Sequence, residues 1–281
     1  MARTLLGVAV LGSGAAAAAC GGSSVDASTI TDAATKTALV GTYDISVAST
    51  FTPPGTNQSA TVTATGGFDV PRHRGRVAVD FTTLAPVIGQ NLGTMLVVLD
   101  GNTVYVKLPI LRQASPQLKP WLKLTVEQTA RARGFDLASL LQFGQGGNPS
   151  PTFDFLRGAE DVKKLGTLRM RGVPTTHYGA TIDLSRAAKA APPRARAKVN
   201  AAVARFSAVT GEKKLPAEVW LDRRGRARRI LLTEHLRFGG KRAKVVQAAD
   251  YYDFGTPVSV PIPAPGEVTD VTKLPGAGGG G

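Results

Sequence analysis

The sequence has a single cysteine, Cys20, in 281 residues, so no disulfide can form within the chain. Histidines are equally sparse, and none of the three stands at the spacing that zinc-binding motifs use. His73, His177 and His235 all lie in or beside stretches whose pattern predicts strands. We therefore predict that the chain holds no metal and needs no cofactor, and that these histidines belong to the sheet.

Motifs of the common catalytic sites are missing as well. The sequence has no G-x-S-x-G nucleophile elbow, and its glycine clusters at 144–147 and 276–281 lack the Lys-Ser or Lys-Thr that follows a phosphate-binding loop. Glu160 and Asp161 are adjacent carboxylates, but nothing in the sequence brings a second acidic pair to them. These absences predict a protein that is not an enzyme.

The one long apolar run lies at the start of the chain. Arg3 precedes an apolar, small-residue stretch at 5–19, which is too short for a comfortable spanning helix and has the order of a secretory signal. It ends in Ala17-Ala-Ala-Cys20-Gly-Gly, which resembles the lipobox of bacterial lipoproteins except that Ala17 stands where leucine is usual. That resemblance implies a signal peptide cleaved after residue 19 and palmitate-type acylation of Cys20. The mature protein is then extracytoplasmic and anchored to the outer face of the cell membrane. A plain secretory signal followed by an incidental cysteine is the alternative.

Acidic residues are outnumbered, since 20 Asp and Glu stand against 34 Lys and Arg and give a formal net charge of +14. Removal of the signal deletes only Arg3 from this count and leaves +13 (14 minus 1). Such a charge favours an anionic membrane surface or an anionic wall polymer as a partner, and the export signal disfavours nucleic acid. A generally basic proteome would explain the same charge without any partner.

Alternation of apolar and polar residues predicts most of the folded region to be strands. The run 95–99 is apolar throughout, which favours a strand covered on both faces, and Asp100-Gly101-Asn102 favours a tight turn after it. The returning segment places Val104, Val106 and Leu108 on one face. Further strands are predicted at 43–51, 60–70, 74–83, 121–124, 167–171, 176–184, 217–222, 227–238 and 243–254. Because the early connections are short, we expect an antiparallel meander.

Helical periodicity follows the first group of strands. An apolar stripe predicts a short helix at 136–143, and 150–156 carries another helical turn. These two segments, separated by a glycine-rich stretch, predict either a lid over the apolar face of the sheet or helices that simply close the core. The pattern alone leaves both possibilities open.

The longest predicted helix covers 193–209. Val199, Ala202 and Phe206 lie along its apolar side, and its basic residues lie elsewhere on the circumference. The basic side is suited either to lipid headgroups or to solvent.

Composition also predicts the limits of the domain. Gly, Ser, Ala and Thr dominate 20–34, which predicts a lipidated flexible tether. Repeated prolines and a run of glycines near the end predict a disordered tail at 266–281. A single folded domain at 35–265 remains between them.

Several local phrases resemble, in this order, the LppX/LprG group of envelope lipoproteins, which is related in fold to the LolA and LolB carriers. They are DGNTVYVKLP with a following PWLKL, then RGVPTTHYGATIDL, LPAEVWLDRRGRARRI and YYDFGTPVSVP. The resemblance covers about 34–265 and rests on their order, since no single phrase is diagnostic. It implies an α+β fold, a strongly curved antiparallel half-barrel with helices packed on its concave face. It also implies a cavity that binds acyl chains of a lipid or glycolipid, and no catalytic residues.

The expected function is therefore that of a lipoprotein which carries or presents a lipid between membrane layers, with a membrane transporter as a further possible partner. From the predicted faces, the sheet side of the cavity would be formed by Val77, Val79, Phe81, Val104, Val106 and Leu108. The helix side would be formed by Leu137, Leu140, Leu141 and Phe143. Plain core packing is the alternative role for each of these residues. The alternative function is an envelope sensor that binds a protein partner through a related fold, without lipid transport.

Overall fold

The structure is a computed structural model that describes residues 23–125, 151–238 and 240–271. Across these residues twelve strands form one sheet in the order β12-β6-β5-β4-β3-β2-β1-β11-β10-β9-β8-β7. The strands are β1 (Thr42–Thr52), β2 (Ala60–Asp69), β3 (Arg74–Asp80), β4 (Thr94–Asp100), β5 (Thr103–Lys107), β6 (Trp121–Thr125), β7 (Ala159–Met170), β8 (Val173–Asp183), β9 (Lys214–Asp222), β10 (Ala227–Phe238), β11 (Lys241–Tyr252) and β12 (Val268–Asp270).

Helices are interspersed among the strands. They are α1 (Ser28–Ala38), α2 (Ala85–Ile88), α3 (Pro109–Ala114), α4 (Pro151–Leu156), α5 (Leu184–Ala190) and α6 (Pro193–Thr210), with 3₁₀ turns at Thr82–Leu84 and Pro265–Glu267. The predicted α+β class, with a large curved antiparallel sheet and helices packed on it, is confirmed.

Two antiparallel meanders, β1 to β6 and β7 to β11, make up the sheet. They join where β1 pairs antiparallel with β11, with Ile45 opposite Tyr251. The predicted turn between β4 and β5 is confirmed, because Gly101 adopts a positive φ of 59° there. Pro109 begins α3, so it ends the β5 ladder as predicted.

The sheet has an inner face, which carries Tyr43, Ile45 and Val47 and packs against the helices, and an outer face. Side chains alternate between the two, so β1 is buried at every second position from Tyr43 to Val47. The predicted strand covered on both faces is also confirmed. In β4 the inner-face Val97 is 4% exposed and the outer-face Val98 is 5% exposed.

The prediction of a flexible tether at 20–34 is wrong for its second half. Residues Ser28–Ala38 form α1, and Ile30, Ala33 and Ala34 are completely buried in the core. Thr37 fixes the helix to the sheet, since its hydroxyl donates to the Ala33 carbonyl at 2.7 Å and accepts from the Ala227 N–H at 2.8 Å. A helix that buries mainly alanine lacks the large apolar residues by which amphipathic helices are recognised.

The prediction of a disordered tail from 266 is wrong for its first residues. Val268–Asp270 form β12, which pairs in parallel with β6 and places Val268 opposite Trp121. Between β11 and β12 the chain crosses the outer face of the sheet. Its Val258 approaches β2 so closely that a Cβ built on Gly67 would lie 2.8 Å from the Val258 Cγ1. We call residues 253–267 the outer strap.

The strand predicted at 167–171 begins earlier, at Ala159. Register shifts between Glu160 and Lys163 and between Lys164 and Gly166 interrupt its alternation, so period two is visible only in its last part. The helices predicted at 150–156 and 193–209 are confirmed as α4 and α6. The helix predicted at 136–143 lies outside the described residues.

Candidate functional site

The inner face of β3, β4 and β5 is an aliphatic wall. Cross-strand register sets Val77 opposite Val97, and Val97 opposite Val106, so that branched side chains follow one another across three strands. In the neighbouring row Leu99 stands opposite Val104. Valine and leucine side chains in adjacent rows present a continuous apolar surface with no hydrogen-bonding group.

The structure brings the predicted sheet-side residues together. Val79, Phe81, Val104, Val106 and Leu108 belong to one buried cluster, and Val77 is partly buried against it. Phe81 and Leu108 lie just beyond the ends of β3 and β5 and extend the wall past the strands. Contact of these residues with a ligand remains a prediction. Leu137, Leu140, Leu141, Phe143 and Cys20 lie outside the described residues.

An aromatic row crosses the inner face beside this wall. The Phe153 ring of α4 lies 4.8 Å from the ring of Tyr251, which lies 5.8 Å from that of Tyr43, and Tyr43 is 5.4 Å from Phe68. Burial raises the pKa of Tyr43 far above its ordinary value, so the phenol stays neutral. The row links α4 to β11, β1 and β2.

Several described helices lie toward the other half of the sheet. Helix α1 contacts β7 and β10, α4 and α5 contact β8, and α6 contacts β10. The rings of Phe155 in α4 and Phe206 in α6 meet edge to face at 5.9 Å, which joins two of these helices. The α6 residues Val199 and Ala202 are buried while Lys198 and Arg205 are exposed, so the predicted amphipathic helix is confirmed.

Sequence analysis missed a polar break in the inner face. In their middle parts, the inner-face series of β1, β11 and β10 are apolar or aromatic except for one polar residue each: Ser49, Gln247 and Glu234. Lys241 at the start of β11 belongs to the same series. Register brings the three together, since Ser49 stands opposite Gln247, and Val245, two residues along β11, stands opposite Glu234. Within one strand, a single polar residue among apolar ones does not indicate that polar residues of other strands lie beside it, so the sequence gave no signal of this group.

Glu234 is the titratable member of this group. Burial, together with a smaller effect of the neighbouring Glu212 carboxylate, raises the pKa of Glu234 to about 7. Glu212 is itself well paired, accepting from His235 Nδ1 at 2.9 Å and from Arg242 at 2.7 Å. Within the described part of the chain, the side chains of Ser49, Gln247 and Glu234 make no hydrogen bond to another residue.

The outer face holds a separate groove of about 410 Å³ beneath the outer strap. Val98 and Trp121 form part of its floor, Pro261 borders it, and Asp44 and Arg76 lie at its charged side. Burial raises the pKa of Asp44, as does Asp253, while Arg76 opposes both. Because the sheet separates this groove from the inner face, it is not the predicted cavity.

The histidines are sheet and turn residues, as predicted. His177 stacks on Trp220 at 4.1 Å between ring centres and pairs with Glu218 at 2.7 Å, and His235 pairs with Glu212. His73 occupies the turn between β2 and β3 with a φ of 52°. Among residues 23–125, 151–238 and 240–271, no three histidine, cysteine or acidic side chains come close enough to hold a metal ion.

No helix in the described part of the chain is both long enough and apolar enough to cross a membrane.

No family model matches the chain. An uncharacterized 31.2 kDa protein of Streptomyces griseus, encoded in the rplA-rplJ intergenic region, is 26% identical over 161 residues, which are 57% of this chain and 51% of that protein. This chain therefore spans about half the length of that relative.

Two solved structures carry names from the group that the sequence phrases resemble. LprF from Mycobacterium bovis has a TM-score of 0.45 and 14% identity, covering 85% of this chain and 96% of that chain. The lipoprotein LppX from Mycobacterium tuberculosis has a TM-score of 0.41 and 15% identity, covering 84% of this chain and 100% of that chain. At these identities the likeness is one of fold and does not identify a ligand. The chain is similar to both structures over more than four fifths of its length.

Proposed function

We propose that this chain is a membrane-anchored envelope lipoprotein that binds the acyl chains of a lipid or glycolipid against the inner face of its sheet. It carries or presents that lipid between membrane layers. The anchor is the acylated sulfur of Cys20, and the mature domain lies outside the cytoplasm. No chemical step is part of this function.

The observation that supports the proposal is the aliphatic wall. A chain of methylene groups needs apolar area rather than a fixed set of polar contacts, and the inner faces of β3, β4 and β5 offer such area in adjacent rows. Each methylene group removed from water contributes about 0.8 kcal/mol. A lipid with two long chains therefore crosses water very slowly unless a protein covers those chains.

The polar break suits the other end of such a ligand. Ser49, Gln247 and Glu234 lie on the same inner face as the wall, and their side chains lack hydrogen-bond partners among the described residues. A hydroxyl, an amide and a carboxyl group together offer donors and acceptors to hydroxyl or carbonyl groups of a lipid head. An aliphatic wall that ends in a polar group matches an amphiphile in a single orientation.

Native mass spectrometry of the chain that begins after Cys20 tests the proposal. We expect lipid to remain bound to the purified protein and to be released under denaturing conditions. Preparations that carry no lipid after purification, and whose mass does not change after incubation with lipid vesicles, would favour the alternative of an envelope sensor that binds a protein partner.

A matched pair of variants on β3 locates the bound lipid. Val77→Trp adds a large ring on the inner face, and Ala78→Trp adds the same ring one residue along, on the outer face. We expect the first variant to reduce the bound lipid by at least half and the second to leave it unchanged. Circular dichroism of both variants checks that each one folds, and equal lipid content in the two folded variants would exclude the wall as the binding surface.

A further inference from the structure

The first described residues of the chain lie along the free edge of β7. Ser24 forms a bridge with Lys163, the Val25 N–H donates to the Val162 carbonyl at 2.9 Å, and the Lys164 N–H donates to the Ser23 carbonyl at 3.4 Å. Strand β7 is the last strand of the sheet, so this pairing occurs at its edge. The chain therefore enters the domain beside Lys164, in the middle of β7.

This pairing limits the distance between β7 and the lipidated residue. Cys20 precedes Ser23 by three residues, and a fully extended chain spans at most about 3.6 Å per residue. The Cα atoms of Cys20 and Ser23 are thus at most about 11 Å apart. If acyl chains on Cys20 enter a bilayer, Ser23 and the neighbouring part of β7 are held within reach of the headgroups.

The same part of β7 exposes apolar side chains. Leu165 is 51% exposed and Leu168 is 47% exposed, although both are large hydrophobic residues in a strand. The Leu165 side chain lies over Gly179 of β8, since a Cβ built on Gly179 would be 3.2 Å from the Leu165 Cδ1. Protein surfaces that insert shallowly into a headgroup layer typically combine exposed leucines with neighbouring basic residues.

The charge of this hairpin is of one sign. Between Val162 and Ile182 the sequence contains no acidic residue, whereas it contains Lys163, Lys164, Arg169 and Arg171, all exposed. Just before this segment, Glu160 is paired with Lys214, and Asp161 is an exposed acidic residue at its start. A surface with four exposed cations complements an anionic leaflet, where each lysine or arginine near the surface contributes about 1 kcal/mol, or about fivefold in binding.

We propose that the edge of β7, defined by Lys163, Lys164, Leu165, Leu168 and Arg169, is the surface that lies against the anionic membrane. This inference rests on the acylation of Cys20 that belongs to the proposed function. It assigns the docking role to β7 and leaves the basic side of α6 facing solvent. It also sets the orientation of the domain, with the β7 edge of the sheet toward the bilayer and β6 with β12 at the other edge.

Single thiol probes on the full acylated chain test this orientation. Because Cys20 is the only cysteine and its sulfur is acylated, an introduced cysteine is the only free thiol. Leu168→Cys places a fluorophore on β7, Val209→Cys places one on the exposed side of α6, and Gln117→Cys places one before β6. Each labelled protein is reconstituted into vesicles of phosphatidylcholine and phosphatidylglycerol that contain a quencher attached to the lipid headgroup.

We expect the fluorophore at position 168 to be quenched at least threefold more strongly than those at 209 and 117. The further substitution of Lys163 and Lys164 by Glu should remove most of this difference on anionic vesicles and change little on vesicles of phosphatidylcholine alone. Stronger quenching at position 209 or 117, or no quenching at any of the three, would overturn the assignment. The last outcome would leave the β7 edge as a surface for a protein partner.

The membrane orientation and the proposed lipid binding can be refuted independently of each other. A second reactive thiol in the labelled protein would reveal that Cys20 is not acylated, which refutes the anchor. Lipid content measured on the same preparations reports on the inner face. A domain that binds lipid but docks through another surface therefore refutes only the orientation proposed here.

Discussion

Replacement of Thr37 by valine tests whether α1 belongs to the folded domain. The side chain is 1% exposed, and its hydroxyl accepts a hydrogen bond from the Ala227 N–H at 2.8 Å. Valine has nearly the same shape but no acceptor, and Ala227 is itself completely buried, so its N–H would lose its partner without gaining water. An unsatisfied buried N–H costs about 1–3 kcal/mol, which is a large share of the roughly 5–15 kcal/mol that stabilises a typical domain.

Urea unfolding of the chain that begins after Cys20 measures this loss. With a slope of about 2 kcal/mol per molar urea, Thr37→Val should lower the midpoint by about 0.5–1.5 M. Thr35→Val is the matched control, since it makes the same change in the same helix at an exposed residue whose hydroxyl contacts Arg157. We expect the control to remain within about 0.5 kcal/mol of the unsubstituted protein. Equal midpoints for both variants and the parent protein would refute the packing of α1 on the sheet.

Three further outcomes concern pH and the outer strap. The pKa of Glu234 rises from 4.5 to about 7 on folding, so its contribution to stability is complete below pH 4.5 and is lost as pH rises to about 7. Glu234→Gln should therefore be more stable than the parent protein at pH 8, by up to about 3 kcal/mol in urea unfolding. At about pH 4 the variant should be no more stable than the parent. Burial alone would raise the pKa of Asp222, but hydrogen bonds from Arg226 and Arg228 outweigh it and lower that pKa, so its contribution is present above about pH 4 and is lost as pH falls. Asp222→Asn should cost about 3 kcal/mol at pH 7 and flatten the acid limb of the stability profile, whereas an unchanged acid limb would contradict this assignment. Gly67→Ala should cost about 1–3 kcal/mol, because the added Cβ would meet both the Asp44 carboxylate and, at 2.8 Å, the Val258 Cγ1. Limited proteolysis should then cut the outer strap faster than in the parent, and equal rates would show that the strap does not depend on its contact with Gly67.

Local pattern was enough to predict the strands and their faces where alternation is regular. Val77 and Val79 share the inner face with Val104 and Val106, as their spacing indicated, because successive side chains in a strand must point to opposite sides. Residues 193–209 were recognisable as an amphipathic helix for the equivalent reason, since their apolar residues recur at helical spacing. In both cases the signal lies within a few consecutive residues.

Elements that form only through contact with residues distant in the chain could not be predicted from the sequence. Helix α1 buries alanines that become core residues only where the sheet is close enough to cover them, and β12 exists only because β6 offers it a free edge. Glu234 and Gln247 lie in neighbouring strands of one hairpin, but Ser49 is far from them in the chain, and only the pairing of β1 with β11 brings it to them.

The sequence by itself predicted an export signal and an acylation site at Cys20, and it was enough to predict the alternating strands and the apolar character of one face. These depend on the order and polarity of neighbouring residues, which the chain carries whether or not it is folded. The tertiary structure alone decided that the two meanders join into one sheet, that residues 23–25 lie on the edge of β7, and that three isolated polar residues meet on the inner face. Backbone hydrogen bonds between strands produce these juxtapositions, and because such bonds are alike for every residue type except proline, the sequence carries little record of which strands they join.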